Sequence, residues 1–133
     1  MLLFPISALC DKEGFSVGVF LMSIYNNSSN NCTLTSKTFL SGHLFQNNRV
    51  PEYIPAGNTL HFIMLAKPKR TATVRLSYEC GAGNSITFIS RGNRAVKPPT
   101  KGVVENSQNM RAYYNTIFGV NTHSIDWILE VTA

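Results

Sequence analysis

The segment Thr71-Ala-Thr-Val-Arg-Leu-Ser-Tyr-Glu-Cys80 alternates polar and apolar side chains without a break. Its even positions, from Ala72 to Cys80, are apolar, and its odd positions are polar. A strict period of two predicts a β-strand with one face in a hydrophobic core and the other in water. The same period places Cys80 on the buried face, where a second buried cysteine would meet it.

The sequence contains three cysteines, Cys10, Cys32 and Cys80, so one disulfide can form and one thiol is left over. Cys32 opens a second strand-like run, and its alternation puts Cys32 on the same side as Leu34. We therefore predict a Cys32–Cys80 disulfide between two strands, which would contribute about 4 kcal/mol by loop-closure entropy. Two reduced, buried cysteines are the alternative interpretation.

Strand signals and short turns recur along the rest of the chain. Residues 14–25 are apolar on nearly both faces, which predicts a central strand, and residues 124–132 alternate with Trp127 on the apolar face. The polar segments 67–70 and 81–84 are typical of hairpin turns. About eight strands with frequent turns predict an all-β, single-domain antiparallel β-sandwich.

Residues 103–114 allow two interpretations. Four side chains have helical spacing and predict one short helix: Val103, Ser107, Met110 and Tyr114. Three asparagines in 106–115 disfavour a long helix, so a strand is the alternative.

The first eight residues are largely apolar and end in the small side chains of Ser7 and Ala8. Residues 1–9 are interpreted either as the remnant of a secretory signal or as an edge strand, and they lack the basic start of a full signal. Residues 10–133 are expected to form the sandwich domain. No run reaches the ~20 apolar residues of a membrane-spanning helix. Together with the disulfide, these features predict a secreted protein, extracellular or periplasmic.

The formal net charge is +5, and the positive charge is concentrated in the middle of the chain. The range from position 54 to 104 contains eight basic residues and only one acidic residue, Glu79. They are Lys67, Lys69, Arg70, Arg75, Arg91, Arg94, Lys97 and Lys101. Such a field attracts phosphate, anionic lipid or acidic glycans. Aromatic residues do not alternate with these charges, which argues against nucleic acid as the partner.

Motifs that carry chemistry are missing from the sequence. It has no nucleophile elbow, P-loop, dinucleotide fingerprint or zinc-ligand spacing. The three histidines are far apart, and only two Asp and five Glu are present to pair as acid and base. We therefore expect no catalytic activity, no cofactor and no metal site.

Basic and aromatic residues near the turns are the candidates for binding. The predicted ligand-binding residues are Lys67, Lys69, Arg70, Arg91, Arg94, Lys97, Arg111, Tyr113 and Tyr114. Two blander interpretations stay open: that residues 67–70 are only a solvated hairpin tip, and that Tyr113 and Phe118 belong to the core.

The features together favour a secreted, non-enzymatic β-sandwich binding protein, such as a secreted effector or virulence-type factor. Its basic and aromatic loops would recognise a glycan, an anionic surface or a protein partner, and peripheral membrane contact is included. In size and all-β character the chain is also similar to the aegerolysin-type cytolysins, which implies a membrane-active, lipid-binding protein as the first alternative. Those proteins are rich in tryptophan, whereas this chain has only Trp127. The second alternative is a structural or assembly subunit that adds residues 1–9 to a neighbouring sheet.

Overall fold

The structure, a computed structural model, describes residues 18–119 and 123–132. The segment 1–9 and Cys10, for which the sequence allows several interpretations, lie outside the described residues. Within the described ranges the regular secondary structure is all strand.

Ten strands occur in these ranges, rather than the eight predicted. They are β1 (Gly18–Asn26), β2 (Cys32–Ser41), β3 (His43–Leu44), β4 (Tyr53–Ile54), β5 (Thr59–Ala66), β6 (Ala72–Glu79), β7 (Ser85–Gly92), β8 (Thr100–Gln108), β9 (Met110–Phe118) and β10 (His123–Val131). One sheet has the order β3-β5-β1-β10-β9 and the other the order β4-β2-β6-β7-β8. The two five-stranded sheets pack face to face, so the predicted β-sandwich is confirmed.

The alternating segment around β6 lies in the centre of the second sheet. Ala72, Val74, Leu76, Tyr78 and Cys80 are all buried, whereas the polar side chains between them face outward. β6 is flanked by β2 and β7. Its apolar face packs on the first sheet, as the period of two predicts.

The two ends of the sandwich differ in the loops that they carry. β5 and β7 run toward one end, and β6 and β8 start from it, so that end holds residues 67–71 and 91–101; we call it the basic end. The opposite end holds residues 27–31, 55–58 and 81–84. It is also where the disulfide lies.

One strand pair departs from the predicted antiparallel arrangement. β1 and β10 are parallel neighbours, in register from Leu21 opposite Ser124 to Asn26 opposite Leu129. Both strands start at the basic end, so their side-by-side placement makes them parallel. The remaining pairs are antiparallel.

The predicted short helix near 103–114 is wrong. This stretch forms parts of β8 and β9, which belong to different sheets. Asn109 makes the corner between them with a left-handed φ of 56°, a conformation that asparagine tolerates better than most residues. Beyond the corner, Met110, Ala112 and Tyr114 follow the period of two rather than a helical stripe.

Trp127 of β10 forms the centre of the core between the sheets. Its indole Nε1 donates to Ser90 Oγ at 2.8 Å, and its ring lies 4.5 Å from Phe88 between centroids. Gly102 supplies the space for this ring, because a Cβ there would lie 2.4 Å from Trp127 Cζ2. Ser90 and Gly102 are cross-strand partners on β7 and β8, so one indole holds both strands.

The predicted disulfide is confirmed. Cys32 and Cys80 are bonded, fully buried and separated by 48 positions in sequence. The bond joins the start of β2 to the residue that follows β6, next to the cross-strand pair Thr33 and Glu79. It therefore closes a long loop within one sheet.

Removing the disulfide is expected to destabilise the protein by about 4 kcal/mol, because the unfolded chain regains the entropy of a large loop. The test is chemical denaturation of the Cys32→Ala, Cys80→Ala double variant. The adjacent exposed pair, Thr33→Ala with Glu79→Ala, is the matched control and should lose far less. A loss in the cysteine variant no larger than in the control would contradict the structural role of the bond.

Gly102→Ala is expected to destabilise the fold by about 1–3 kcal/mol, because the added methyl group overlaps the Trp127 ring. Urea unfolding curves measure this loss. Gly119→Ala is the control, since a Cβ at Gly119 meets no atom within 4 Å. Equal urea midpoints for the Gly102→Ala and Gly119→Ala variants would show that packing of the Trp127 indole does not require glycine at position 102.

Candidate functional site

The basic end brings together six of the nine predicted binding residues. The β6–β7 pairing places Ala72 opposite Gly92 and Thr73 opposite Arg91. The loop before β6 and the loop after β7 are therefore neighbours in space. The residues gathered there are Lys67, Lys69, Arg70, Arg91, Arg94 and Lys97.

The β5–β6 turn exposes its cations. The Arg70 amide donates to the Lys67 carbonyl at 2.9 Å, and Lys69 has a left-handed φ of 63°. All four residues from 67 to 70 are exposed. Between this turn and the chain crossing after β2 lies an open cleft of about 620 Å³, lined by Ser41, Gly42, His43, Lys67, Arg70 and Thr71.

Gly42 is required at that crossing, where the chain passes from one sheet to the other. Its φ of +75° is left-handed, and a Cβ there would lie 2.7 Å from the Leu65 carbonyl oxygen. Only glycine combines this conformation with such a close backbone approach.

The β7–β8 loop is closed by its own hydrogen bonds. The Asn93 amide donates to the Pro99 carbonyl at 2.6 Å, and the Asn93 side chain accepts from the Ala95 amide at 2.9 Å. The peptide bond between Lys97 and Pro98 is cis. Beneath the loop lies a cleft of about 490 Å³, whose lining includes Arg91, Lys97, Pro98, Lys101 and Tyr114.

A third hollow, of about 460 Å³, connects these two clefts across the outer face of the second sheet. It shares Ser41 and Thr71 with the first cleft and Arg91 and Lys101 with the second. The three hollows thus adjoin one another through shared residues, and we call them together the basic groove. Leu40 and Val103 line it with exposed apolar side chains.

The cations of the groove have no acidic partner among the residues that the structure describes. The ion pairs between described residues are Arg75–Glu105, with Nε to Oε1 at 2.9 Å, and Arg111–Glu130 at 2.8 Å. Arg91 and Lys101 take part in neither. Since arginine and lysine only donate hydrogen bonds, the groove offers positive charge and donors to an anionic group.

Arg111 and Tyr113 lie elsewhere, on the outer face of the edge strand β9. Arg111 Nε donates to Glu130 Oε1 at 2.8 Å, and the Tyr113 hydroxyl donates to Glu130 Oε2 at 2.7 Å. Asn27 Nδ2 also donates to this carboxylate, at 3.0 Å. The structure therefore does not bring Arg111 and Tyr113 to the basic groove, and it gives both a partner within the chain.

These contacts shift the protonation of the cluster in a consistent way. The hydrogen bonds from Tyr113 and then Arg111 lower the pKa of Glu130, so the carboxylate stays charged. The bond to Glu130 raises the pKa of Tyr113 and that of Arg111. The cluster is thus a neutralised surface contact between β9 and β10.

The aromatic residues divide between surface and core. Tyr113 and Phe118 are 45% and 51% exposed, so the interpretation that they belong to the core is wrong. Tyr114 is half-buried and its ring centroid lies 5.1 Å from that of Trp127, while its outer edge lines the cleft beneath the β7–β8 loop. Tyr114 therefore joins the core to the groove.

The groove contains residues that were missed as binding candidates, among them Ser41, Thr73 and Lys101. Lys101 belongs to the basic run, but local sequence does not reveal that it lies opposite Arg91. Ser41 and Thr73 gain their place only from the pairing of β2 with β6. The register across four strands was the signal needed, and it is a long-range property.

Two further findings concern the described ranges as a whole. No three His, Cys, Asp or Glu side chains in them are grouped so that they could hold a metal ion. No helix in residues 18–119 or 123–132 is long and apolar enough to cross a bilayer.

Comparison with known proteins finds similarity at the level of fold. No family model matches the chain, and no curated protein sequence matches it. The lipid binding protein Nakanori superposes with a TM-score of 0.65 at 12% identity, over 84% of this chain and 70% of that one. IP-1A from Alcaligenes faecalis gives a TM-score of 0.53 at 7% identity, over 87% of this chain and 92% of that one. At these identities the likeness shows a shared β-sandwich fold.

Proposed function

We propose that the protein is a secreted, non-enzymatic binding protein that attaches to an anionic membrane surface through its basic end. The observation that carries this proposal is the gathering of six cations at one end of the sandwich. They are Lys67, Lys69, Arg70, Arg91, Lys97 and Lys101. Within the described ranges no Asp or Glu lies in the loops of that end.

The binding free energy expected from these cations is suited to reversible attachment to a membrane. Each lysine or arginine near an anionic bilayer contributes about 1 kcal/mol, so several acting together hold a small protein at the surface. These contacts are screened within a Debye length, which makes the attachment sensitive to salt.

Apolar side chains beside the cations support a membrane over a purely soluble polyanion. Val96 at the tip of the β7–β8 loop is half exposed, and Leu40 and Val103 are exposed along the groove. A surface of mixed cations and small apolar groups matches the boundary between headgroups and acyl chains.

The disulfide and the fold support this proposal. The buried disulfide is consistent with an oxidising, extracellular compartment. The fold is similar to that of a lipid binding protein, and this similarity supports the proposal at the level of fold alone.

The cytolytic, aegerolysin-like alternative is less well supported. Trp127 is the chain's only tryptophan, and it is 1% exposed in the core. It therefore offers no indole to the interface, where tryptophan is the usual anchor.

Charge reversal tests the proposal. Arg70→Glu with Lys97→Glu should weaken binding to phosphatidylserine-containing vesicles by at least about thirtyfold, because two favourable contacts are lost. Co-sedimentation over a range of lipid concentrations measures the affinity. Lys37→Glu with Arg49→Glu is the control, since it changes net charge equally at two exposed sites away from the basic end.

Two results would contradict the proposal. One is an equal loss in both double variants, which would make net charge alone responsible. The other is the absence of wild-type binding to anionic vesicles while the protein is still retained on a sulfated glycan column, which would make the ligand a glycan.

A further inference from the structure

One row of side chains crosses four strands at the middle of the basic groove. The strand registers place Ser41 opposite Thr73, Thr73 opposite Arg91, and Arg91 opposite Lys101. All four side chains line the same hollow on the outer face of the sheet. The row presents two hydroxyls, a guanidinium and an ammonium side by side.

Two like charges stand directly opposite each other in this row. Arg91 and Lys101 are cross-strand partners, and like charges in that relation destabilise a sheet. Glu105, on the same strand as Lys101, pairs instead with Arg75 in the neighbouring region of the face. Between described residues nothing neutralises the Arg91–Lys101 pair, so an anionic group between them would relieve their repulsion.

The hydroxyls next to the pair are available as donors. Thr73 Oγ1 makes no side-chain hydrogen bond within the described part of the chain. Ser41 Oγ and Thr71 Oγ1 lie 2.7 Å apart, and only one of these two hydroxyl protons is used in their mutual bond. The other proton can be donated to a ligand. Hydroxyl donors and the charged donors of Arg91 and Lys101 therefore face the same hollow.

We infer that this row, Ser41–Thr73–Arg91–Lys101, is a subsite for a phosphate monoester, and the inference rests on the proposed membrane-binding function. A monoester carries about −1.5 to −2 charges at neutral pH and three terminal acceptor oxygens. The arginine fork takes two such oxygens at once, and the lysine and hydroxyls suit the third. A phosphodiester headgroup offers two terminal oxygens and one charge, so it fills the row less completely. The monoester can be part of a lipid headgroup or a soluble molecule.

The experiment compares two vesicle types matched in zeta potential, one with phosphatidic acid and one with phosphatidylglycerol. Wild-type protein is expected to bind the phosphatidic acid vesicles about tenfold more tightly, the equivalent of one additional charge-assisted contact. Thr73→Val should reduce this preference, because it removes a hydroxyl of the row and no charge. Thr38→Val is the matched control, an exposed threonine on β2 outside the row, and should keep the full preference.

A soluble arm identifies the source of the phosphate. Glycerol 3-phosphate is titrated while amide shifts are followed by NMR. Shifts centred on Thr73, Arg91 and Lys101 would support the subsite and show that a free monoester suffices. Vesicle preference without such shifts would support it as a site for the lipid-borne group.

The subsite is overturned if wild type binds both vesicle types equally and glycerol 3-phosphate causes no shifts in the row. It is also overturned if Thr73→Val and Thr38→Val behave alike. The proposed function survives either result. Its own failure is different, since neither anionic vesicle would then bind the protein.

Discussion

The indole of Trp127 is the contact on which the arrangement of the basic end depends. It lies against Gly102, donates to Ser90 and packs on Phe88, so it holds β7 and β8 against the opposite sheet. Two residue pairs closer to the basic end, the ring of Phe20 occupies the space that a side chain at Gly92 would need. Thr100 Oγ1 then donates to the Ser124 carbonyl at 2.8 Å, which ties the start of β8 to β10.

This inward packing determines what the same strands present to solvent. Arg91 lies between Ser90 and Gly92, and Lys101 lies between Thr100 and Gly102. Because all four neighbours face the core, strand alternation turns both cations to the outer face. The side chains that would bind a ligand are thus placed by aromatic packing on the other side of the sheet.

Local periodicity was enough to predict much of this fold. The alternation around β6 and β10 identified the buried faces, and the alternation of β6 and of the start of β2 led to Cys32 and Cys80 as partners. The same method failed for β8 and β9, since Val103, Met110 and Tyr114 also fit a helix. There the deciding event is a crossing between sheets at Asn109. The parallel pairing of β1 with β10 is equally long-range and has no local signature.

The candidate site shows the same division. The turn signal read from the sequence placed residues 67–70 correctly in a loop, whereas Arg91, expected in a loop, lies in β7. Arg111 and Tyr113 instead bind Glu130, a partner that only the β9–β10 register brings within hydrogen-bonding distance. Sequence patterns did not identify Ser41, Thr73 and Lys101 as binding residues, because their common row spans four strands.

The two ends of the molecule differ in whether their polar and charged side chains are bonded within the chain. The asparagines of the end opposite the basic end are engaged within the chain, as when Asn26 Nδ2 donates to the carbonyls of Asn30 and Ile54. No such internal partners neutralise Arg91 and Lys101 in the described part of the chain. The sandwich is therefore polarised: polar side chains at one end are bonded within the chain, whereas at the other end Arg91 and Lys101 have no acidic partner among the described residues.

Hydrogen–deuterium exchange with and without anionic vesicles tests this polarity most directly. We expect bound membrane to slow exchange in residues 67–71 and 91–101 and to leave residues 27–31 and 81–84 unchanged. Slower exchange at the opposite end, or no difference at the basic end despite binding, would contradict this expectation.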